Sequence, residues 1–207
     1  MSYTKEDWKN RLTDRSDLST SLVHLTKEGN STTVIENLFK ILNEKKLNGS
    51  TTQTGFIIGP NSAVCFQDTP FYGVAQNILF EQKINKENNI SKVRYRAVGL
   101  AFEKEYVFNK GGRPVLYEKT AQAKSILPQE EWWRIVNFDL SNQSSIIDWT
   151  HEREWRCKND FDFDISEVTI LLANEYQYRQ FMKKCENDGL DLHQKIKGIV
   201  VMNQILR

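Results

Sequence analysis

Apolar residues in this chain come in runs of strand length, set between stretches with helical spacing, and that mixture constrains the fold most. Leu22 to Thr26, Ala63 to Phe66, Val168 to Ala173 and Gly198 to Met202 read as short strands. Tyr95 to Phe102, Pro114 to Tyr117, Trp133 to Phe138 and Glu154 to Cys157 read the same way, with Pro114 at a strand start or on an edge. Val34, Ile35, Leu38, Phe39, Ile41 and Leu42 instead form one helical stripe. Asn30, Ser31 or Thr32 is expected to cap that helix, with Lys45-Lys46 in its last turn and Asn48-Gly49 ending it. Further helices are expected after Pro70, over Glu103 to Lys110 before Gly111-Gly112, and over Glu175 to Glu186. Strands and helices mix without strict alternation. The expected fold is therefore a single α+β domain over residues 1–207, with short mixed strands and flanking helices, not a doubly wound parallel sheet. Residues 1–20 read as an N-terminal lead-in segment.

Composition narrows the setting. The formal net charge of +1 gives no global field to recruit nucleic acid, so such contact would need a local basic patch. Lys83, Lys86, Lys92, Arg94 and Arg96, followed by Lys104 and Lys110, form a modest cluster that reads as a solvated face. No apolar run approaches 18 residues, so no membrane span is expected. The polar Met1 to Trp8 stretch lacks the apolar core of a signal peptide. Cys65, Cys157 and Cys185 are scattered and odd in number, as expected of reduced thiols in a cytoplasmic protein. Neither His-Glu-x-x-His nor paired Cys-x-x-Cys occurs, and no metal is expected.

The densest chemistry lies in Asp148-Trp149-Thr150-His151-Glu152-Arg153-Glu154-Trp155-Arg156. On a strand, Glu152 and Glu154 would share one face. Two carboxylates that close cost energy unless a cation sits between them or one is protonated. The pair can stabilise a developing positive charge. It can equally be a charged edge strand, or an ion-pair network with Arg153 and Arg156. His24-x-Thr26 projects two polar side chains from one strand face; alone, it reads as a core-edge histidine with a satisfied hydrogen bond. Val64-Cys65-Phe66-Gln67-Asp68-Thr69-Pro70 ends a strand in a polar turn that could line a pocket beside the strand end; the preferred expectation is that Asp68 or Thr69 caps the next helix. Gly111-Gly112-Arg113-Pro114-Val115-Leu116-Tyr117 is a glycine turn feeding a strand. It matches neither a phosphate loop nor a dinucleotide fingerprint.

In this order, these segments resemble the AbiGi-type family of bacterial abortive-infection proteins. The match runs over Leu22 to Pro70, Val98 to Tyr117 and His151 to Cys157, about two-thirds of the chain. Pro-Val-Leu-Tyr and Glu-Arg-Glu-Trp-Arg are its most specific pieces. The same skeleton is distantly similar to DarT-like ADP-ribosyltransferases in motif order: an early His-x-Thr strand, a central aromatic strand and a late strand with the catalytic glutamate. The second resemblance implies an ADP-ribosyltransferase-like core that uses NAD+ as substrate, with a nucleic-acid or protein acceptor. It assigns Glu154 to the ribosyl oxocarbenium-like transition state and Glu152 to the acceptor. His24 would hold the adenosine-side or the nicotinamide ribose with Thr26 supporting the pocket, Arg113 or Arg153 would take the pyrophosphate, and Phe66 or Tyr117 would supply an aromatic wall for nicotinamide. Phe66, Tyr72 and Tyr117 compete for the class's central tyrosine. The first resemblance implies a non-catalytic antitoxin or sensor with a cognate toxin as partner. A nuclease using Asp148, Glu152 and a divalent metal is a third reading.

Overall fold

A threonine three residues before an acid starts two of the helices. Thr33 Oγ1 accepts from the Glu36 amide at 3.2 Å, and Glu36 Oε2 accepts from the Thr33 amide at 2.7 Å. This reciprocal box satisfies donors that a helix start leaves open. Thr4 and Asp7 repeat the arrangement. The computed structural model describes residues 2–28, 31–89, 96–189 and 191–205. Its elements run α1 (Lys5–Thr13), β1 (Ser21–Leu25), α2 (Val34–Glu44), β2 (Lys46–Leu47), β3 (Ala63–Gln67), α3 (Phe71–Glu87), β4 (Gly99–Glu103) and α4 (Lys104–Asn109). There follow β5 (Arg113–Pro114), β6 (Leu116–Glu118), α5 (Thr120–Ile126), β7 (Ile135–Asn137), β8 (Glu154–Lys158) and β9 (Phe161–Asp162). The chain ends with β10 (Thr169–Leu172), α6 (Glu175–Asn187), α7 (Leu192–Lys195) and β11 (Gly198–Val201). This is an α+β fold with mixed strand pairing.

The chain separates into two compact units, each discontinuous in sequence. The first comprises Met1–Lys45, Thr69–Glu103 and Phe163–Arg207. Its strands lie in the order β11-β10-β4-β1, with β10 parallel to β11 and antiparallel to β4, and β4 antiparallel to β1. Val23, Ala101 and Leu171 from three of these strands pack with Val74, Ala75 and Ile78 of α3. Phe39 of α2 meets Phe181 of α6 at 5.1 Å between ring centroids. Each is a large apolar side chain removed from water, which is what ties the helices to the sheet.

Gly99 sits where β4 and β1 come closest. A Cβ there would stand 2.1 Å from the His24 carbonyl oxygen. Gly99→Ala must therefore push two paired strands apart, and a loss of about 1–3 kcal/mol is expected in urea unfolding. Stability equal to wild type would show that the pairing yields more easily than this contact implies.

Several sequence expectations shift here. Thr33 caps α2, not Ser31 or Thr32; Asn30 lies outside the described residues. The helix ends at Lys45 in a left-handed conformation (φ 52°), and Lys46–Leu47 depart to pair with β9, before Asn48-Gly49 is reached. α3 has no side-chain cap. β4 begins at Gly99, and Tyr95, Lys92 and Arg94 lie outside the described residues. Of the basic cluster, Lys83 pairs with Glu87 and Arg96 with Glu28, while Lys104 is largely buried against Asp68. The lead-in contains α1, whose only buried residue is Leu12. Among the described residues no helix is long and apolar enough to cross a membrane.

The second unit comprises Lys46–Asp68 and Lys104–Asp162. β8 lies between β3 and β5 and is antiparallel to both. Pro114 falls on β5, at the edge of this order, where a missing amide is tolerated. β6 runs parallel to β7, and α5 is anchored beside them by Thr120, whose amide and hydroxyl both donate to Asn137 Oδ1 at 3.1 Å. Phe66 is fully buried and meets Phe161 edge-on at 5.2 Å.

Candidate functional site

The chemistry of the second unit gathers on one face of β3 and β8. Side chains two apart on a strand share a face, and directly opposed residues of an antiparallel pair do too. Glu154 and Arg156 are therefore neighbours along β8, facing Gln67 and Cys65 of β3. Glu154 is 6% exposed and Arg156 is 2% exposed.

Arg156 grips Glu154 with two bonds, Nε to Oε1 at 2.8 Å and Nη2 to Oε2 at 3.3 Å. Its Nη1 donates to the carbonyls of Trp133 at 2.8 Å and Ile135 at 3.0 Å, and Nη2 also reaches the Phe56 carbonyl at 3.5 Å. All five N–H donors of the guanidinium are thus used. Burial alone would weaken the arginine's hold on its proton, but the Glu154 carboxylate more than offsets this, and its pKa is raised. Cys65 bonds to the same carboxylate. Desolvation, then the negative charge of Glu154, pushes its thiol well above the ordinary range, so it is a neutral thiol at physiological pH.

The backbone of Glu154 is fixed as firmly as its side chain. Its amide donates to the Tyr117 hydroxyl at 2.6 Å, and its carbonyl accepts from the Val115 amide at 3.1 Å. Burial raises the Tyr117 phenol to about 12, so the hydroxyl stays protonated. Tyr117→Phe removes the acceptor and leaves the Glu154 amide unpaired. A loss of about 1–3 kcal/mol is expected in chemical denaturation; no loss would mean that the strand start relaxes to another acceptor.

The expectation that Glu152 and Glu154 share a strand face is corrected. Thr150–Glu152 form a 3-10 turn, tied down by the Thr150 amide and hydroxyl donating to Asp148 Oδ1 at 2.8 and 2.6 Å. Arg153 then takes a left-handed conformation (φ 47°), and β8 starts only at Glu154. The left-handed residue breaks the alternation, so the neighbour of Glu154 on its strand face is the cation Arg156 and not the second carboxylate. Glu152 is half-buried, with its carbonyl accepting from the Asp68 amide at 3.0 Å.

The remaining candidates are distributed as follows. Arg113 donates from Nη1 to the carbonyls of Phe108 at 3.0 Å and Gly112 at 2.7 Å, and its guanidinium lies 4.3 Å from the Phe108 ring centroid. Phe66 points to the opposite face of β3 and spends its ring in the core. Asp68, expected as a helix cap, binds Lys104 at 2.7 Å and the Trp155 indole N–H at 3.2 Å. His24 and Thr26 belong to the first unit. His24 is half-buried on β1, and Thr26 is buried with its Oγ1 accepting from Asn37 Nδ2 at 3.0 Å. Among the described residues no group of three or more His, Cys, Asp and Glu side chains is arranged to hold a metal.

Gln67 is the site residue that sequence reading passed over. It is 6% exposed, and its Oε1 has no hydrogen-bond partner. The signal is its place in the Val64 to Pro70 turn, where helix capping is preferred over lining a pocket. No family model, no curated protein and no solved structure matches the chain.

Proposed function

We propose that the protein is a NAD+-dependent ADP-ribosyltransferase acting in bacterial phage defence or a toxin–antitoxin system. The reading rests on the DarT-like order of motifs, and the observation that carries it is the fixed orientation of the Glu154 carboxylate. A carboxylate held by Arg156 at 2.8 and 3.3 Å, on a backbone pinned by Tyr117, needs little reorganisation when positive charge develops beside it. In the reaction the bond from the ribose C1′ to nicotinamide breaks, and its electron pair leaves with nicotinamide. Glu154 stabilises the oxocarbenium-like ribose. The acceptor's lone pair, from nucleic acid or protein, forms the new bond to C1′, and Glu152 takes the acceptor's proton. Arg113 or Arg153 contacts the pyrophosphate, and Tyr117 borders the nicotinamide.

A specific observation favours a second reading. Glu154 is buried and both its oxygens already serve Arg156. A carboxylate so engaged can be wholly structural, and the fold would then act as an AbiGi-type antitoxin that binds a partner toxin. Purified protein incubated with labelled NAD+ and cell lysate separates the two. Nicotinamide release with label transfer supports the transferase. Folded protein with no NAD+ binding or turnover, which suppresses a neighbouring toxin and co-purifies with it in stoichiometric amounts, overturns that reading and supports the antitoxin.

A further inference from the structure

The outer face of α3 carries a stripe whose spacing reads the same in both directions. Tyr72, Gln76, Leu79, Phe80, Lys83 and Glu87 follow one another at intervals of four, three, one, three and four residues. At about 100° per residue they share one side of the helix. Val74, Ala75 and Ile78 occupy the other side and pack on the sheet. Tyr72 is 53% exposed, Leu79 49% and Phe80 65%. Two large apolar neighbours thus stand in water at the centre of the stripe, with Tyr72 and Gln76 at one end and Lys83 and Glu87 at the other. Single exposed apolar residues are ordinary, but an apolar centre with a polar rim is the anatomy of a contact surface.

That symmetry selects the occupant. A two-fold axis between Leu79 and Phe80 lays a second α3 antiparallel on the first, and each residue then meets the one at the mirrored position. Leu79 meets Phe80 of the other copy, Gln76 meets Lys83, and Tyr72 meets Glu87. The charges agree with this direction. α3 has neither a side-chain cap nor an acidic residue in its first turn, so its positive end is open. Asp68, the acid that most closely precedes it in sequence, is bound to Lys104 at 2.7 Å. The antiparallel arrangement brings a Glu87 carboxylate, about 11 Å from the axis, beside that end in each copy. Within its own chain Glu87 meets Lys83 at 3.9 Å, an exposed contact that holds it weakly. A parallel pair would instead set Lys83 against Lys83 and Glu87 against Glu87. We propose that the protein self-associates through this face as an antiparallel α3–α3 dimer. The contact is one helix wide, at the small end of specific interfaces, below about 1,200 Å² in total, so the dimer is weak and reversible. It stands whether or not the chain acts on NAD+.

Sedimentation equilibrium of the full chain, from micromolar to submillimolar concentration, is expected to show the mass rising from one chain toward two. Phe80→Lys puts a charge in the apolar centre and should weaken the dimer by about a hundredfold or more. Its melting temperature should stay near that of wild type at low concentration, because the side chain is exposed. Gln76 reports the direction of packing. Gln76→Glu faces Lys83 of the other copy and should tighten the dimer by about twofold to fivefold, while Gln76→Lys should weaken it by a similar factor. A chain that stays monomeric at every concentration, or a dimer untouched by Phe80→Lys, overturns the proposal. Weakening by both Gln76 variants, as a parallel pair would give, overturns the antiparallel arrangement.

Discussion

Arg156→Leu is expected to lose about 3–5 kcal/mol of folding stability, because it strands a buried carboxylate. The side chain is 2% exposed and supplies donors to Glu154 and to the carbonyls of Trp133, Ile135 and Phe56. An exposed pair of the same composition would be worth about 0–1 kcal/mol, so burial decides the size of the effect. Leucine fills part of the volume but answers none of these acceptors. The double variant Glu154→Leu with Arg156→Leu removes the stranded charge as well. It should recover part of the loss, but not all, since the three carbonyls still lack their donor. Urea unfolding followed by circular dichroism measures both. A single variant within about 1 kcal/mol of wild type would mean that water reaches the pair on demand, contrary to its burial.

How this pair arises shows what sequence reading can and cannot reach. Short strand-length runs correctly mark β3, β8, β10 and β11. The α2 stripe, likewise, is legible in Val34, Leu38, Phe39 and Leu42. The failures have local causes. α1 carries almost no apolar stripe and is specified by its Thr4–Asp7 box, a signal of a few atoms. α5 depends on Asn137, which is distant in sequence. In the Glu-Arg-Glu-Trp-Arg string, the same period of two fits Glu152 with Glu154 and Glu154 with Arg156. Which pair forms depends on where the strand begins, and that is set by Asp148 closing the turn and by Arg153 at φ 47°. Neither residue type prefers that conformation strongly enough to announce it. The burial of Arg156 is equally hidden, since the carbonyls that receive it come from residues 56, 133 and 135.

Glu154→Gln is expected to reduce NAD+ turnover by about 10²–10³-fold, the range typical of removing a preorganised electrostatic contact to a transition state. The amide keeps the shape and one acceptor for Arg156, but it removes the charge. The same substitution leaves Arg156 without its counter-ion, so loss of turnover alone does not separate chemistry from folding. Arg156→Lys provides the separation. It keeps a cation and the carboxylate but cannot reproduce a two-bond grip on Glu154 while also reaching the carbonyls. It should therefore be destabilised to a comparable degree while retaining the charge that the oxocarbenium needs. Turnover measured at a temperature where circular dichroism shows both variants folded should put Arg156→Lys well above Glu154→Gln. If the two fall together in proportion to stability, Glu154 acts through the fold and not on the substrate. The buried pair is then structural, and the binding role becomes the better account of the chain.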